Sequence, residues 1–462
     1  MNKGVIIVGS GLAGLSAASE LAARNVPVYI LERLPKPGGN SIKASSGING
    51  APTRFQSSED TEFYSDSVRS AGQAMTTFRD RREKLISTLT ELSSSAVNWL
   101  VDEKGIDLSH VAQLGGHSRP RTHRGTGQTP PGAAIVLTLL NEIKANHHVQ
   151  LRTSSVVTKV LCDKGEVTGV EYTHQGRTRT IHGPVIFASG GFAGDSAGLL
   201  AKYRPDLAGF PSTNEAQPGS ANLLKEVGAH LLDMRQVQVH PTGFVDPVDP
   251  FKITKFLAAE MLRGEGGLLL LNSKRFVNEL ETRKVVTDAI LSTPPMDLSP
   301  RQWDVKIVID EATYHAAKAH VDFYVFKGLM KRTNIAEGLG EAAIPSLQEF
   351  ANAARGKAED SFGRTQFGNW ALTDVKSESV IYVGRVTPVV HYTMGGVLFN
   401  ERSEVLDEEG RVIKGLWAAG EATGGIHGAN RLGGSSLLEC VVYGRIAGKE
   451  VSKFVQERQG RE

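Results

Sequence analysis

The sequence is poor in cysteine: Cys162 and Cys440 are the only two in 462 residues. This excludes a disulfide framework, a cysteine-ligated iron–sulfur cluster and a cysteine-rich zinc site. No C-x-x-C-H haem-attachment run is present. Charge of one sign is equally scarce. The 52 Lys and Arg residues against 50 Asp and Glu leave a net +2, which excludes the basic footprint of a general nucleic-acid binder. Long apolar runs are missing too, and none approaches the ~20 residues of a membrane span. The chain opens Met1-Asn2-Lys3-Gly4 and passes directly into an apolar, strand-like run. That leaves no room for a cleavable targeting segment, so a soluble, cytoplasmic protein is expected.

What the chain does have is glycine, 50 of 462 residues or about 11%, against a usual share of roughly 7%. No G-x-y period accompanies it, so collagen is excluded. The excess implies tight turns or close backbone approach to a ligand. With 40% hydrophobic residues the chain builds a substantial core, and its length suits about three units of ~150 residues or one large two-domain enzyme.

Hydrophobic periodicity organises the chain. Val5–Val8 reads as a buried strand, Leu12–Arg24 as a helix and Val26–Leu31 as a second strand. Residues 59–104 read as helical, 114–132 as a Gly/Pro/Arg/His-rich loop and 133–145 as a helix. Residues 149–191 read as a set of strands. A Pro/Asp-rich crossing at 246–254 precedes mixed short elements, and the glycine-rich style returns after 391. The expected organisation is one discontinuous nucleotide-binding domain, 1–233 plus 392–462, interrupted by a capping domain at 234–391.

Three segments carry chemistry. Gly9-Ser10-Gly11-Leu12-Ala13-Gly14 follows a strand and opens a helix, and Glu32 ends the next strand. Gly9 suits the tight turn, Gly11 close approach to a pyrophosphate at the helix N-terminus, and Gly14 helix–sheet packing. Glu32 suits an adenosine ribose. Gly38-Gly39-Asn40-Ser41 with Ala44-Ser45-Ser46-Gly47 resembles the extension of FAD-binding folds. Gly420-Glu421 and Arg431-Leu432-Gly433-Gly434-Ser435-Ser436-Leu437 precede a helix whose N-terminal dipole suits the electron-rich edge of a reduced flavin.

Further runs carry a resemblance: Ser-Gly-Ile-Asn-Gly at 46–50, His-Pro-Thr-Gly at 240–243, Ala-Glu-Met-Leu-Arg-Gly at 259–264, Arg-Phe-Val-Asn-Glu at 275–279 with Thr282-Arg283, His-Tyr-Thr-Met-Gly-Gly at 391–396, and the Arg431 block. Together and in order they resemble the fumarate reductase/succinate dehydrogenase flavoprotein superfamily, and within it the soluble reductases of yeast type. The resemblance implies an α/β fold: a Rossmann-like, glutathione-reductase-type FAD-binding domain with an inserted α+β capping domain. It implies reduction of fumarate to succinate. His391 and Arg431 would hold one carboxylate and His240 the other. Arg283 would deliver a proton, relayed by Glu260 and Arg263. The cofactor contacts implied are Gly9, Gly11, Leu12, Ala13, Gly14, Glu32, Arg33, Gly39, Asn40, Ser41, Ser45, Ser46, Gly47, Val157, Gly420, Glu421, Arg431, Ser435, Ser436 and Leu437.

Departures from the family pattern refine this expectation. No histidine precedes His110, so the flavin should be held non-covalently. No second dinucleotide fingerprint or haem motif is present, and the resemblance implies a soluble donor such as FADH2, FMNH2 or reduced riboflavin. Neither a membrane subunit nor nucleic acid is expected as partner, and the resemblance suggests a monomer. Ala259 stands where soluble bacterial relatives place a threonine. His110, His117 and His123 have no metal-ligand spacing, so no metal is expected. Alternatives kept open are a related flavoenzyme acting on another dicarboxylate or activated alkene, such as an L-aspartate oxidase, and a non-catalytic FAD/dicarboxylate sensor.

Overall fold

The computed structural model describes residues 4–127 and 129–460. Strands Val5–Val8 and Val28–Leu31 lie parallel and adjacent, joined by helix Leu12–Ala22. Their near-continuous apolar composition follows from burial on both faces, as crossover helices impose on a parallel sheet. The parallel part of this sheet, of nine strands among the described residues, runs Val149–Arg152, Val28–Leu31, Val5–Val8, Val185–Phe187 and Val412–Ala418, and antiparallel pairings extend it beyond Val412–Ala418. The order reverses at Val5–Val8, so a crevice opens beyond the carboxyl end of that strand, where nucleotides dock in such sheets. Helix Ser435–Gln459 packs against Leu12–Ala22, and a Cβ at Gly444 would come within 2.5 Å of the Ala13 carbonyl oxygen. The small residues of both helices therefore set how closely they approach.

A second sheet, of seven strands among the described residues, is built wholly from residues 237–393. Its long strand Val380–Thr393 pairs antiparallel with Val237–Phe244, Val305–Ile309 and Lys331–Asn334. The two sheets have separate apolar cores: one around Leu15, Ile30 and Val441, the other around Phe244, Leu262 and Ile307. This is the α/β fold expected from the sequence.

Two local expectations change. Residues 59–104 do not form one helix. Helices Phe63–Ala71, Arg79–Glu91 and Ser93–Asn98 follow one another; Gly72 (φ 57°) and Phe78 (φ 51°) take left-handed backbone that separates the first two, and Leu92 (φ -86°, ψ 0°) separates the last two. The loop at 114–132 contains strand Thr122–Arg124, paired on both sides by His110–Ala112 and Ile48–Asn49. Its partner at Ile48–Asn49 is distant in sequence, so periodicity within the loop gave no signal.

Candidate active site

The first helix begins at Gly11, which offers no side-chain cap to its N-terminal N–H groups. The three glycines there differ in what demands them. A Cβ on Gly9 (φ 104°) would lie 2.4 Å from the Ala188 carbonyl oxygen, and one on Gly14 would lie 2.1 Å from that of Gly9. A Cβ on Gly11 would meet nothing closer than Ser41 Oγ at 3.7 Å. Packing requires glycine at 9 and 14. At 11 only something docked against the helix end requires it, which fits a dinucleotide phosphate. Around this point the expected residues converge. Glu32 accepts from Ser10 N at 3.0 Å and from Leu34 N at 2.8 Å. Ser41 Oγ accepts from Leu12 N at 3.2 Å, and Gly39 backs onto Gly11. The Asn40 and Asn214 side chains meet. Ser45 Oγ is buried without a partner, while Ser45 O accepts from His320. Gly47 (φ 131°) abuts the His123 carbonyl, and Ser46 beside it is buried.

Across the crevice, Gly434 in left-handed backbone (φ 82°) starts the helix that contains Ser435, Ser436 and Leu437. Asn49 fastens that start by donating to Gly433 O at 2.8 Å and Ser435 Oγ at 2.9 Å. Glu421, next to Gly420, accepts from the Thr393 backbone at 2.9 Å. Burial first, then the nearby Glu439 charge, pushes the Glu421 carboxyl up to about 7. Arg33 donates to the Pro218 carbonyl at 2.6 Å, and Val157 sits in the apolar cluster with Val8 and Leu31, the strand ends that precede Gly9 and Glu32.

The six residues expected to handle substrate lie in one cluster that joins sequence-distant elements, five of them buried and His391 half-buried. Strand Val237–Phe244 carries His240. Its neighbour carries His391 on a β-bulge: Gln238 pairs with Tyr392 and Val239 with Val390, so His391 is the extra residue. A bulge re-aims its side chain, and the two imidazoles come to 5.3 Å between centroids. The Thr242 N–H donates to His240 Nδ1 at 3.2 Å, which leaves the ring proton on Nε2. That nitrogen is fully buried and has no partner. Thr213 Oγ1 meets His391 Nδ1 at 2.8 Å. Burial first, with the Arg283 charge next, drives both imidazoles well below the ordinary range, so both are neutral at pH 7.

Arg283 opens helix Arg283–Leu291, and Glu260 immediately precedes the short helix Met261–Gly264 that contains Arg263. Glu260 accepts from Arg283 Nε at 2.6 Å and from Gly115 N at 3.0 Å, and it faces Arg263 Nη2 at 3.6 Å. Burial works to raise its carboxyl, but Arg283 and Arg263 outweigh this and hold it below the usual range. Arg431 lies over the Tyr392 ring at 4.3 Å, with its Nε buried and unpartnered. Burial and the Arg283 charge push its guanidinium down to about 10. Within these six residues three guanidinium groups face one carboxylate, a formal excess of two positive charges beside two neutral imidazoles, with Glu439 and Glu279 the next nearest anions. Buried N–H groups without acceptors demand a partner. A small dianion meets both demands.

The sequence reading missed Gln238 and Tyr392. Gln238 Oε1 accepts from Arg283 Nη1 at 2.9 Å and from Arg431 Nη2 at 3.0 Å. It lies two residues before His240 on a strand, so the period-2 rule would have put it on the same face. Tyr392 immediately follows His391; its hydroxyl donates to Glu439, which His427 Nε2 meets at 2.6 Å. The three loop histidines do not converge. His110 meets Arg124, His117 meets Gly433 O, and His123 meets Thr53 Oγ1. Among the described residues no group of three or more His, Cys, Asp or Glu side chains could hold a metal ion, and no helix is long and apolar enough to cross a membrane.

A family model described as FAD binding domain matches residues 4–437. The chain belongs to that family. FAD is therefore its cofactor, and the glycine cradle described above fits it. The chain is 42% identical over 475 residues to "Fumarate reductase 1" of Saccharomyces cerevisiae, covering 97% of this chain and 98% of the yeast protein. It is 39% identical to "Fumarate reductase" of Schizosaccharomyces pombe, covering 99% and 91%. Among solved structures, the open conformation of a flavocytochrome c3 fumarate reductase superposes with a TM-score of 0.74 at 30% identity. That match covers 98% of this chain and 78% of the other.

Proposed function

We propose that this chain is an FAD-dependent reductase that converts fumarate to succinate. The observation that carries this reading is the cluster of three guanidinium groups around one carboxylate, with two neutral imidazoles and orphaned donors on His240 and Arg431. Its likeness to the two yeast fumarate reductases supports the reading. FAD, when bound, supplies the hydride. In this reading Arg431 presents its planar fork to one carboxylate, assisted by His391. His240 Nε2 donates to the other. Removal of charge from those carboxylates favours addition to the alkene and stabilises the carbanion character of the transition state.

The second alkene carbon takes its proton from Arg283, whose guanidinium shares Glu260 with Arg263. Glu260 and Arg263 relay a proton from solvent back to Arg283, Glu260 being ionised at rest and carrying the proton only in transit. One hydride and one proton on fumarate give succinate, so atoms and charge balance. The wider assignments belong to the same proposal. FAD is bound without a covalent link, the donor is a soluble reduced flavin, and the chain acts as a monomer. Residues 234–391 act as a cap that admits substrate and closes over it.

Steady-state fumarate reduction with chemically reduced flavin tests the reading. Wild type turns over fumarate. Arg283→Ala keeps its FAD and loses turnover by about 10²–10⁴-fold, the usual share of a general acid. Absence of fumarate-dependent oxidation in the wild type overturns the function. Retained turnover in Arg283→Ala overturns the acid.

A further inference from the structure

The two guanidinium groups that act on the proposed substrate have different jobs, yet one uncharged atom joins them. Gln238 Oε1 accepts from Arg283 Nη1 at 2.9 Å and from Arg431 Nη2 at 3.0 Å. The rest of the amide is fixed. Its Nε2 donates to the Arg431 carbonyl at 2.7 Å and reaches Asn430 Oδ1 at 3.3 Å, so the oxygen can face only the guanidinium side. Gln238 is 4% exposed and sits across the bulge that aims His391.

We propose that Gln238 is a positioning residue that fixes Arg283 at a set offset from Arg431, so that a proton is delivered to a carbon whose carboxylate Arg431 holds. The choice of an amide follows from charge. A carbonyl oxygen accepts from two cations and leaves their charge available to a dianion, whereas a carboxylate in the same place competes with that dianion. The two arginines depend on Gln238 unequally. Arg431 keeps its stack on Tyr392 and its bond to Leu432 O at 3.2 Å. Arg283 has Glu260 at one end of its fork and only Gln238 at Nη1.

The inference rests on the fumarate-reducing reading, and two substitutions in the flavin-loaded full chain separate the two. Gln238→Met removes the acceptor at similar volume. It is expected to lower kcat for fumarate at least tenfold while the succinate Kd, measured by calorimetry on the oxidised protein, stays within threefold. Gln238→Glu keeps the acceptor and adds charge. It is expected to weaken the succinate Kd at least tenfold, with affinity recovering as pH falls and the substituted carboxyl protonates. A Met variant with kcat within twofold of wild type, or a Glu variant with unchanged Kd, overturns the role of Gln238. If the Met variant yields no flavin-loaded protein, the Kd and pH response of the Glu variant decide. A wild type that binds succinate but reduces no fumarate removes the function reading, and the Glu-variant Kd still tests Gln238.

Discussion

Glu260 carries the charge balance of the cluster, so Glu260→Gln is the most informative perturbation. The substitution keeps shape and removes one negative charge from a site only 1% exposed. Arg283 and Arg263 then lose their shared counterion. Breaking a buried pair by removal of one partner costs about 3–5 kcal/mol, and urea unfolding followed by tryptophan fluorescence should read a loss of that size. A bound dianion offsets part of the deficit. Saturating succinate at 100 times its Kd stabilises any such protein by about 2.7 kcal/mol. The variant should gain at least as much as wild type, because the dianion meets one more unpaired cation. Turnover should fall by about 10²–10⁴-fold, since proton return to Arg283 is interrupted.

The pH dependence has a definite sign. The Glu260 carboxyl lies below its ordinary 4.5 in the fold. The stability it contributes is present above 4.5 and is lost as pH falls through the lower folded value. The gap between wild type and variant should therefore be full at pH 7 and shrink progressively below pH 4.5. A change under about 1 kcal/mol at pH 7, or weaker succinate binding in the variant, would refute the charge argument.

Three further outcomes are expected. Gly11→Ala should leave the melting temperature of the FAD-free protein unchanged and weaken FAD at least tenfold in a binding titration. Gly14→Ala should destabilise the fold itself by about 1–3 kcal/mol, because its Cβ would sit 2.1 Å from a carbonyl oxygen; equal behaviour of the two would show that the cradle is misassigned. Glu421→Gln should stabilise the FAD-free protein by about 3 kcal/mol at pH 8 and not at pH 4. A carboxyl lifted from 4.5 to about 7 by burial holds its proton more tightly in the fold, so stability is lost as pH rises through that window. A gain independent of pH in thermal melts would contradict this. Tyr392→Leu should weaken succinate binding about tenfold through loss of the desolvated cation–π contact, with kcat changed less than Kd; calorimetry beside steady-state kinetics would detect the reverse.

The sequence by itself determined the features that short-range physics controls. A strand, a glycine turn and a helix start within the first 22 residues are local events. So is the glycine-led start of the helix at Ser435, whereas the charged groups of the cluster are named by family resemblance and not by local physics. Gly9 and Gly14 were legible because turns and close packing need glycine wherever they occur. The tertiary structure alone decided how those groups act. His391 faces His240 only because a bulge in one strand is measured against another about 150 residues away. Arg431 is placed by the Tyr392 ring, and Arg283 is tied to Arg431 by Gln238, a residue with no motif of its own. The neutrality of both imidazoles has no sequence signature. It follows from burial and from neighbouring guanidinium charges, and both depend on which distant segments fold together.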